Sequence, residues 1–465
     1  MSAIARHGST AASVLVNAWI GSASRRAATA LILAAIALLP LSAAGTFTAG
    51  FTLTVSQVLA AGAVAVGAPA ALRGWLRLPR PLLLAASTLM LVYVAGALFG
   101  LDATIPGQTV RSGHRDLVYV VDTLVGLGIV GILADIADRS ILRRAGVAFV
   151  IAGFLAALYA VYQWFAQHYG WPLADVNNAL NSDGFSTGHV HQGSGLLGWE
   201  RVRGTFKEPL YLGSFLVITL PFFAALFRGP PRPHRAALIL ATGVVLTALL
   251  LTVSTLAWGA GLLALLAVGC MWALSRGHVR ASAAIATACA VAAVAGPVLF
   301  VGPSALSTLT GRTSSALQTT TTNRLDAWDR ALERWQSRPV FGYGPGQSAV
   351  QLAYRPDTLP GNSEPTVYGS AQGLWAASLI DVGLVGFFSW IALLAALFAF
   401  AVQTAFARSD RFILAGTAAA GVAVIIGELS ADRFDIRVWI ALGLMLAAAS
   451  HSGRPARQQE DHQAQ

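Results

Sequence analysis

Charged residues are scarce in this chain of 465 residues, and their scarcity excludes an ordinary soluble fold. Asp, Glu, Lys and Arg make up 11% of the sequence, whereas hydrophobic residues make up 55%. A typical soluble domain carries about 25% charged residues. Because so few charges cannot cover the surface of a soluble protein, a cytosolic enzyme is excluded.

Cysteine and lysine are nearly absent. The two cysteines, Cys270 and Cys289, lie in apolar runs, so neither a disulfide framework nor a cysteine metal cluster can form. Lys207 is the only lysine, and Lys plus Arg exceed Asp plus Glu by 31 to 21. In a membrane protein this excess indicates orientation signals and contacts with anionic lipid rather than binding of nucleic acid.

Several motifs of soluble enzymes are also missing. The sequence has no Walker-type phosphate loop, no HExxH, no paired CxxC and no Gly-x-Ser-x-Gly elbow. No motif therefore indicates ATP or zinc chemistry, and we expect neither a cofactor nor a metal.

Apolar runs dominate what is present. About 20 apolar residues suffice to span a membrane. The first run, which resembles a signal peptide but lacks a clear cleavage site, is predicted to be retained. The sequence predicts an all-α polytopic membrane protein with about 12 transmembrane helices, at residues 27–45, 48–70, 82–100, 117–137, 146–167, 211–227, 236–254, 256–275, 282–302, 384–406, 412–428 and 436–450.

Arginine-rich loops between these runs predict the orientation. If the loops are cytoplasmic, as the positive-inside rule requires, both termini are cytoplasmic and segments 168–208 and 303–371 lie on the outer face. The arginines concerned are Arg73, Arg77, Arg80, Arg139, Arg143, Arg144, Arg228, Arg232, Arg235, Arg276, Arg280, Arg408, Arg411, Arg454 and Arg457.

The predicted organisation has five parts, which follow the chain in order. They are a cytoplasmic N-terminus (1–26), membrane helices 1–9 with the outer loop 168–208 (27–302), a large periplasmic loop between the ninth and tenth helices (303–371), a re-entrant or short helix with membrane helices 10–12 (372–450), and a cytoplasmic tail (451–465).

The first outer segment carries a cluster of cations at the start of a span. Arg201, Arg203 and Lys207 stand within seven residues, Gly204 allows close backbone approach, and Pro209 can begin the next helix. Cations beside a helix N-terminus form a sound phosphate site. The alternative is a basic belt on lipid headgroups, but such a belt is expected on the cytoplasmic side.

The second outer segment contains an amphipathic helix. Its apolar residues recur at helical spacing, at Leu325, Trp328, Leu332 and Trp335. The threonines 319–322 and Asn323 offer capping groups, which would leave Arg324 in the first turn. Arg330 and Arg334 are expected to pair with acidic neighbours on a solvated face, whereas Arg324 is a candidate phosphate ligand.

Four motifs together resemble the O-antigen ligase and polymerase family. They are Arg-x-Arg-Gly-Thr-Phe-x-x-Pro-x-x-Leu-Gly at 201–213, Arg-Leu-x-x-Trp at 324–328, Pro-Val-Phe-Gly-Tyr-Gly-Pro-Gly at 339–346 and Leu-Ile-Asp-Val-Gly-Leu-Val-Gly at 379–386. The resemblance implies transfer of a glycan from an undecaprenyl-diphosphate carrier to an acceptor hydroxyl at the periplasmic face of the bacterial inner membrane. The acceptor would be lipid A core in a ligase or another carrier-linked glycan in a polymerase.

The resemblance also implies the site residues. Arg203 and Arg324 match the family's arginines and would neutralise the donor diphosphate, with Arg201 and Lys207 beside them. Guanidinium groups, which are forked and permanently charged, suit this task.

The sequence departs from the family at the expected base. Gln372 stands where the family has histidine, and glutamine cannot accept a proton at neutral pH. Three explanations remain open. Another base can serve, with Glu208 preferred over His189, His191 and Asp381; the acceptor can attack without a strong base; or transfer is lost and only carrier binding is kept.

Two other classes of protein remain as alternatives, a transporter or flippase and a non-catalytic partner in glycan export. Transporters often have internal repeats and charges near the membrane midplane. No half-to-half repeat is visible here, and polar groups concentrate in the outer segments, which favours an enzyme. His189 and His191 could suggest a metal, but solvated loop histidines are the favoured interpretation.

Overall fold

A computed structural model of the chain describes residues 22–42, 46–48, 52–99, 104–105, 108–109, 113–136, 138–177, 201–227, 232–274, 314–352, 371–408, 411–430 and 435–451. Within these ranges the chain is almost entirely helical. Besides turns, the described residues include two short antiparallel hairpins: β1 (Thr46–Thr48) pairs with β2 (Thr52–Thr54), and β3 (Thr104–Ile105) pairs with β4 (Gln108–Thr109).

We number the described helices in chain order. They are α1 (22–37), α2 (Val55–Arg77), α3 (Arg80–Phe99), α4 (Gly113–Ile136), α5 (Arg139–Tyr169), α6 (Pro209–Leu226), α7 (Arg232–Leu251), α8 (Thr255–Leu274), α9 (Ser314–Gln336), α10 (Ser348–Gln351), α11 (Leu374–Arg408), α12 (Arg411–Ser430) and α13 (Ile436–His451), with a 3₁₀ turn Leu39–Leu41 after α1.

Among the described residues, seven helices are long and apolar enough to cross a membrane. Two shorter apolar helical stretches, Leu414–Gly427 and Ile436–Ser450, accompany them. The prediction of a polytopic, helical membrane protein is therefore confirmed. The count of about 12 spans stays a prediction, because the run 282–302 and much of the loop 303–371 lie outside the described residues.

Two predicted helix starts are wrong. The run predicted to span from residue 48 begins with a hairpin, and α2 begins only at Val55, where Thr54 and Gln57 form a reciprocal capping box with N···O distances of 3.2 and 2.9 Å. Helix α9 begins at Ser314 rather than at Asn323. Threonine costs only about 0.5 kcal/mol in a helix interior, so the run 319–322 continues the helix instead of capping it.

Arginines from two helices surround a carboxylate at one end of the bundle, which we call the Asp135 end. The Asp135 side chain is fully buried, and it pairs with Arg25 of α1 at 3.6 Å, with Arg73 of α2 at 3.3 Å and with Arg77 of α2. The arginine pattern predicts that these residues share one membrane face, and the contacts bring them together. The side of the membrane on which they lie remains a prediction.

The described residues of the two polar segments, 168–177 with 201–208 and 314–352, lie at the opposite end, which we call the Arg203 end. Helix α5 begins three residues after Ile136 and runs for 31 residues, about 46 Å, so the segment after Tyr169 starts at that opposite end. Helix α3 runs the same way from Arg80, and a Cβ built on its Gly96 would lie 3.1 Å from Pro345.

Close approach of small residues holds the helices together. Where α2 crosses α4, a Cβ built on Gly74 would lie 1.8 Å from the carbonyl oxygen of Gly131. Only glycine allows this distance between backbones. Packing of small residues replaces the hydrophobic driving force that is missing between helices in lipid.

Candidate active site

The turn that contains the predicted cation cluster, residues 201–208, is clamped by two amide side chains. Gln163 of α5 accepts hydrogen bonds through Oε1 from the backbone N–H of Arg203 at 3.0 Å and of Gly204 at 2.8 Å. Asn177 donates from Nδ2 to the carbonyls of Gly204, at 3.1 Å, and Phe206, at 3.0 Å. Because Gly204 has φ +57°, the turn needs a residue that tolerates left-handed backbone. We call this segment the arginine turn.

Arg203 is the buried member of this turn. It is 2% exposed, its guanidinium pairs with Asp175, and its Nη1 donates to the Lys207 carbonyl at 3.4 Å. The Asp175 side chain is 16% exposed. A guanidinium has five N–H donors in a fixed fork, so one arginine can contact several acceptors at once.

The other predicted residues of the arginine turn lie nearer the surface. Arg201 is half-buried and donates from Nε to the carbonyl of Thr252 at 3.0 Å. Lys207 and Glu208 are exposed. Glu208 is the N-cap residue of α6, but its side chain makes no capping hydrogen bond. No ion pair of the described residues joins it to Arg203, whose carboxylate partner is Asp175.

Pro209 begins α6, as predicted, so the positive end of the helix dipole lies beside the arginine turn.

Arg437, at the start of α13, is a residue that sequence reasoning missed. It is 8% exposed, donates from Nη1 to the carbonyl of Tyr211 at 2.9 Å and pairs with Asp435. Its guanidinium lies 5.8 Å from the ring centre of Phe206 and 5.4 Å from that of Tyr211. The sequence feature that could have indicated this residue is its position in the first turn of the last apolar run. The start of that run was predicted to lie on the same outer face as the arginine turn.

The second predicted segment packs its amphipathic helix against the start of α11. The rings of Trp328 in α9 and Trp375 in α11 meet edge to face at 5.3 Å between centroids. Arg324 belongs to α9, one helical turn before Trp328, and its side chain lies outside the described residues. The predicted convergence of Arg203 and Arg324 on one cavity therefore remains a prediction.

Gln372 lies just before α11, three residues from Trp375. It is half-buried and has φ +51°, which is rare for a residue with a Cβ. Strain of this kind concentrates at functional sites, so the backbone marks Gln372 as a position of interest.

The glycine-rich turn and the kink of α11 form one backbone unit. Helix α11 is interrupted at Gly383, where φ is +63° and ψ is −164°. The N–H groups of Tyr343 and Gly344 donate to the carbonyls of Ile380 and Asp381 at 2.9 and 2.8 Å. Two motifs that are about 40 residues apart in the sequence are therefore in direct contact.

Asp381, one of the alternative bases, has a structural contact. It is 3% exposed, and its Oδ1 accepts a hydrogen bond from the backbone N–H of Ser348 at 2.5 Å. Nearby, Gln347 donates from Nε2 to Asp116 at 3.0 Å, which ties α4 to the same turn. These contacts favour a role for Asp381 in holding the turn rather than in accepting a proton.

Three hydrogen-bonding groups near Gln372 are buried without a partner among the described residues. They are Trp328 Nε1, Ser348 Oγ and Gln351 Nε2. Buried polar groups are normally satisfied.

The remaining candidate residues are the two histidines considered as metal ligands. His189 and His191 lie outside the described residues. Within the described ranges, no group of three or more His, Cys, Asp or Glu side chains is arranged to hold a metal ion.

Comparison with known proteins bears on the second segment. A family model described as O-antigen ligase matches residues 236–391, which include α9, the glycine-rich turn and the kink of α11. No curated protein matches the chain. The family match supports a membrane glycosyltransferase-like enzyme of glycan ligation or polymerisation. It also supports the resemblance stated from the motifs, since residues 236–391 match the O-antigen ligase family.

Proposed function

We propose that the protein transfers a glycan from an undecaprenyl-diphosphate carrier to an acceptor hydroxyl at the Arg203 end, which would face the periplasm. The observation that carries this proposal is the arginine turn, with three cations immediately before the first turn of α6. A helix N-terminus adds the positive end of its dipole to those cations. This combination suits a diphosphate better than a neutral substrate.

The leaving group explains the need for arginine. Transfer forms a bond between the acceptor oxygen and the anomeric carbon, and it breaks the bond from that carbon to the diphosphate. Negative charge grows on the diphosphate, and preorganised cations stabilise it most in a poorly hydrated site. We assign this task to Arg201, Arg203, Lys207 and Arg324. Asp175 would orient the Arg203 fork.

The acceptor proton needs a separate destination. Glu208 is exposed beside the cations and has no capping hydrogen bond, so it can accept the proton of the incoming hydroxyl. Gln372 would orient the acceptor by hydrogen bonding. The unpartnered groups of Trp328 and Gln351 support this assignment, since a sugar acceptor offers several hydroxyls to pair with them.

The decisive experiment uses the full chain in proteoliposomes with an undecaprenyl-diphosphate-linked glycan. One arm contains lipid A core as acceptor, and the other contains only additional carrier-linked glycan. Release of undecaprenyl diphosphate with growth of carrier-linked glycan in both arms would identify a polymerase, and transfer onto lipid A core in the first arm alone would identify a ligase. A transporter would move the donor across the bilayer without changing it, which would contradict the proposal.

Variants locate the donor site in this assay. Arg203→Ala should abolish transfer, and Arg203→Lys should lower it about tenfold, because lysine keeps the charge but loses the planar fork. Arg330→Ala on α9 is the control and should keep the wild-type rate. A wild-type rate in Arg203→Ala would show that this residue does not bind the donor.

Orientation is tested in whole cells with a permeabilised outer membrane, using a chain in which Cys270 and Cys289 are replaced by serine. Cysteines introduced at Ser194 and Ser363 should react with an impermeant reagent, whereas one at Gly229 should not. Labelling at Gly229 alone would place the Arg203 end in the cytoplasm and would contradict a periplasmic active site.

A further inference from the structure

A groove runs along the surface of α5, starting at the Asp135 end. Its volume is about 880 Å³, within the range of clefts that hold small molecules. Ala37 at the end of α1 borders it at the far end. It is separate from the candidate active site, because the arginine turn lies at the opposite end of the same helix.

One end of the groove is lined by cations, and the rest of the groove is lined by apolar side chains. Arg139, Arg143 and Arg144 line its beginning. Val147, Ile151 and Leu155 follow at intervals of four residues, so they form a single stripe on the helix, and all three are exposed. From Arg144 to Leu155 the helix rises about 17 Å, close to half of the hydrocarbon core, which is the depth of one leaflet.

The cations at this end are available to a ligand. Arg143 and Arg144 are exposed, and no described residue forms an ion pair with either side chain. The nearest carboxylate in the sequence, Asp138, caps α5 by accepting hydrogen bonds from Ile141 N and Ser140 Oγ, both at 2.7 Å. Asp135 is surrounded by three other arginines.

We infer that this groove binds one anionic phospholipid of the surrounding leaflet. Its phosphate would contact Arg143 and Arg144, and one acyl chain would lie along Val147, Ile151 and Leu155. Two features of the groove carry this inference: unpaired guanidinium groups at the level of the headgroups, and an apolar stripe of one leaflet's depth directly beyond them. Basic pockets between membrane helices are known sites for acidic headgroups. The inference does not depend on the proposed function.

Native mass spectrometry of the full chain in detergent tests the charge requirement. Phosphatidylglycerol and phosphatidylcholine of identical chains are titrated in parallel. The wild type should bind one phosphatidylglycerol with preference. Because each arginine near the surface strengthens the attraction about fivefold, Arg143→Gln/Arg144→Gln should weaken that binding about 30-fold. Arg80→Gln/Arg235→Gln removes the same charge from the same end outside the groove and should leave the affinity unchanged.

A second pair of variants tests the apolar stripe. Ile151→Trp should fill the groove and displace the lipid, whereas Leu158→Trp, an equally exposed position of α5 outside the groove, should not. Both side chains point outward, so folding should survive.

Two results would overturn the inference. One is equal affinity for the two lipids in the wild type. The other is a dimer in the spectrum that disappears in Ile151→Trp, which would identify the groove as an interface between two copies of the chain.

Discussion

The two ends of the helical bundle both pair arginine with aspartate, but they bury opposite partners. At the Asp135 end the carboxylate is fully buried and its three arginines are 38 to 48% exposed. At the Arg203 end the arginine is buried and the carboxylate of Asp175 is the more exposed partner. A buried carboxylate shared by three arginines ties helices together. A buried arginine held in a turn places a positive charge in a fixed direction beside the start of α6.

The supporting contacts differ in the same way. The arginines at the Asp135 end project from regular helices. Arg203 instead belongs to a turn whose backbone is hydrogen-bonded by the side chains of Gln163 and Asn177. The first arrangement needs no substrate to explain it. At the Arg203 end, buried amide side chains fix the direction of the Arg203 cation. Stabilisation of a transition state requires this kind of preorganisation.

Of the variants that follow, loss of Arg324 should have the largest effect on transfer. Arg324→Ala should lower transfer about 10³-fold, the upper range for removal of one preorganised donor. Expression and membrane insertion should remain normal, since α9 is not an apolar span. The initial rate in proteoliposomes measures the effect, with Arg330→Ala on the same helix as control. Equal rates in the two variants would remove Arg324 from the donor site.

Glu208 and Gln372 should respond in opposite ways. Glu208→Gln should lower turnover about 10²-fold, the usual contribution of a general base, while donor binding changes much less. Gln372→Ala should raise the activation free energy of transfer by about 1 kcal/mol, the value of one hydrogen bond to the acceptor. Turnover and donor affinity are measured separately. A silent Glu208→Gln with an inactive Gln372→Ala would favour unassisted attack by an acceptor that glutamine positions.

The two aspartates test the comparison directly. Asp135→Asn should lower the free energy of unfolding by about 2 kcal/mol, because three arginines lose their buried counter-charge, while activity per folded molecule stays normal. Asp175→Asn should instead lower the transfer rate, because the Arg203 fork loses its anchor. Thermal unfolding in detergent and the transfer assay measure the two effects. Loss of activity without loss of stability in Asp135→Asn would contradict the division between the ends.

Gln372→Gly should produce the smallest change. Glycine relieves the left-handed backbone at φ +51°, and part of that gain is offset by its greater freedom in the unfolded chain, so stability should rise by about 0.5 kcal/mol. Gln336→Gly, in the helical last turn of α9, should instead destabilise the protein by up to about 1 kcal/mol. A destabilised Gln372→Gly would show that the side chain's contacts outweigh its backbone strain.

Much of the fold could be predicted, because lipid imposes a strict rule on the backbone. Every N–H and C=O group in the hydrocarbon core must be paired internally, so long apolar runs become helices. Helix starts were predicted less well. The threonines before α2 form a hairpin and a capping box, whereas those in α9 continue a helix. Local propensity is too weak to distinguish these two outcomes.

By itself, the sequence determined the helical membrane class, the cation cluster at 201–207, the helix start at Pro209 and the tight glycine-rich turn, since each follows from neighbouring residues. Only the tertiary structure decided that Asp175 pairs with Arg203, that Arg437 lies over Phe206 and Tyr211, and that Asp381 holds Ser348. These contacts join residues from different helices or distant turns. Their geometry depends on how the helices pack, and no local pattern specifies that packing.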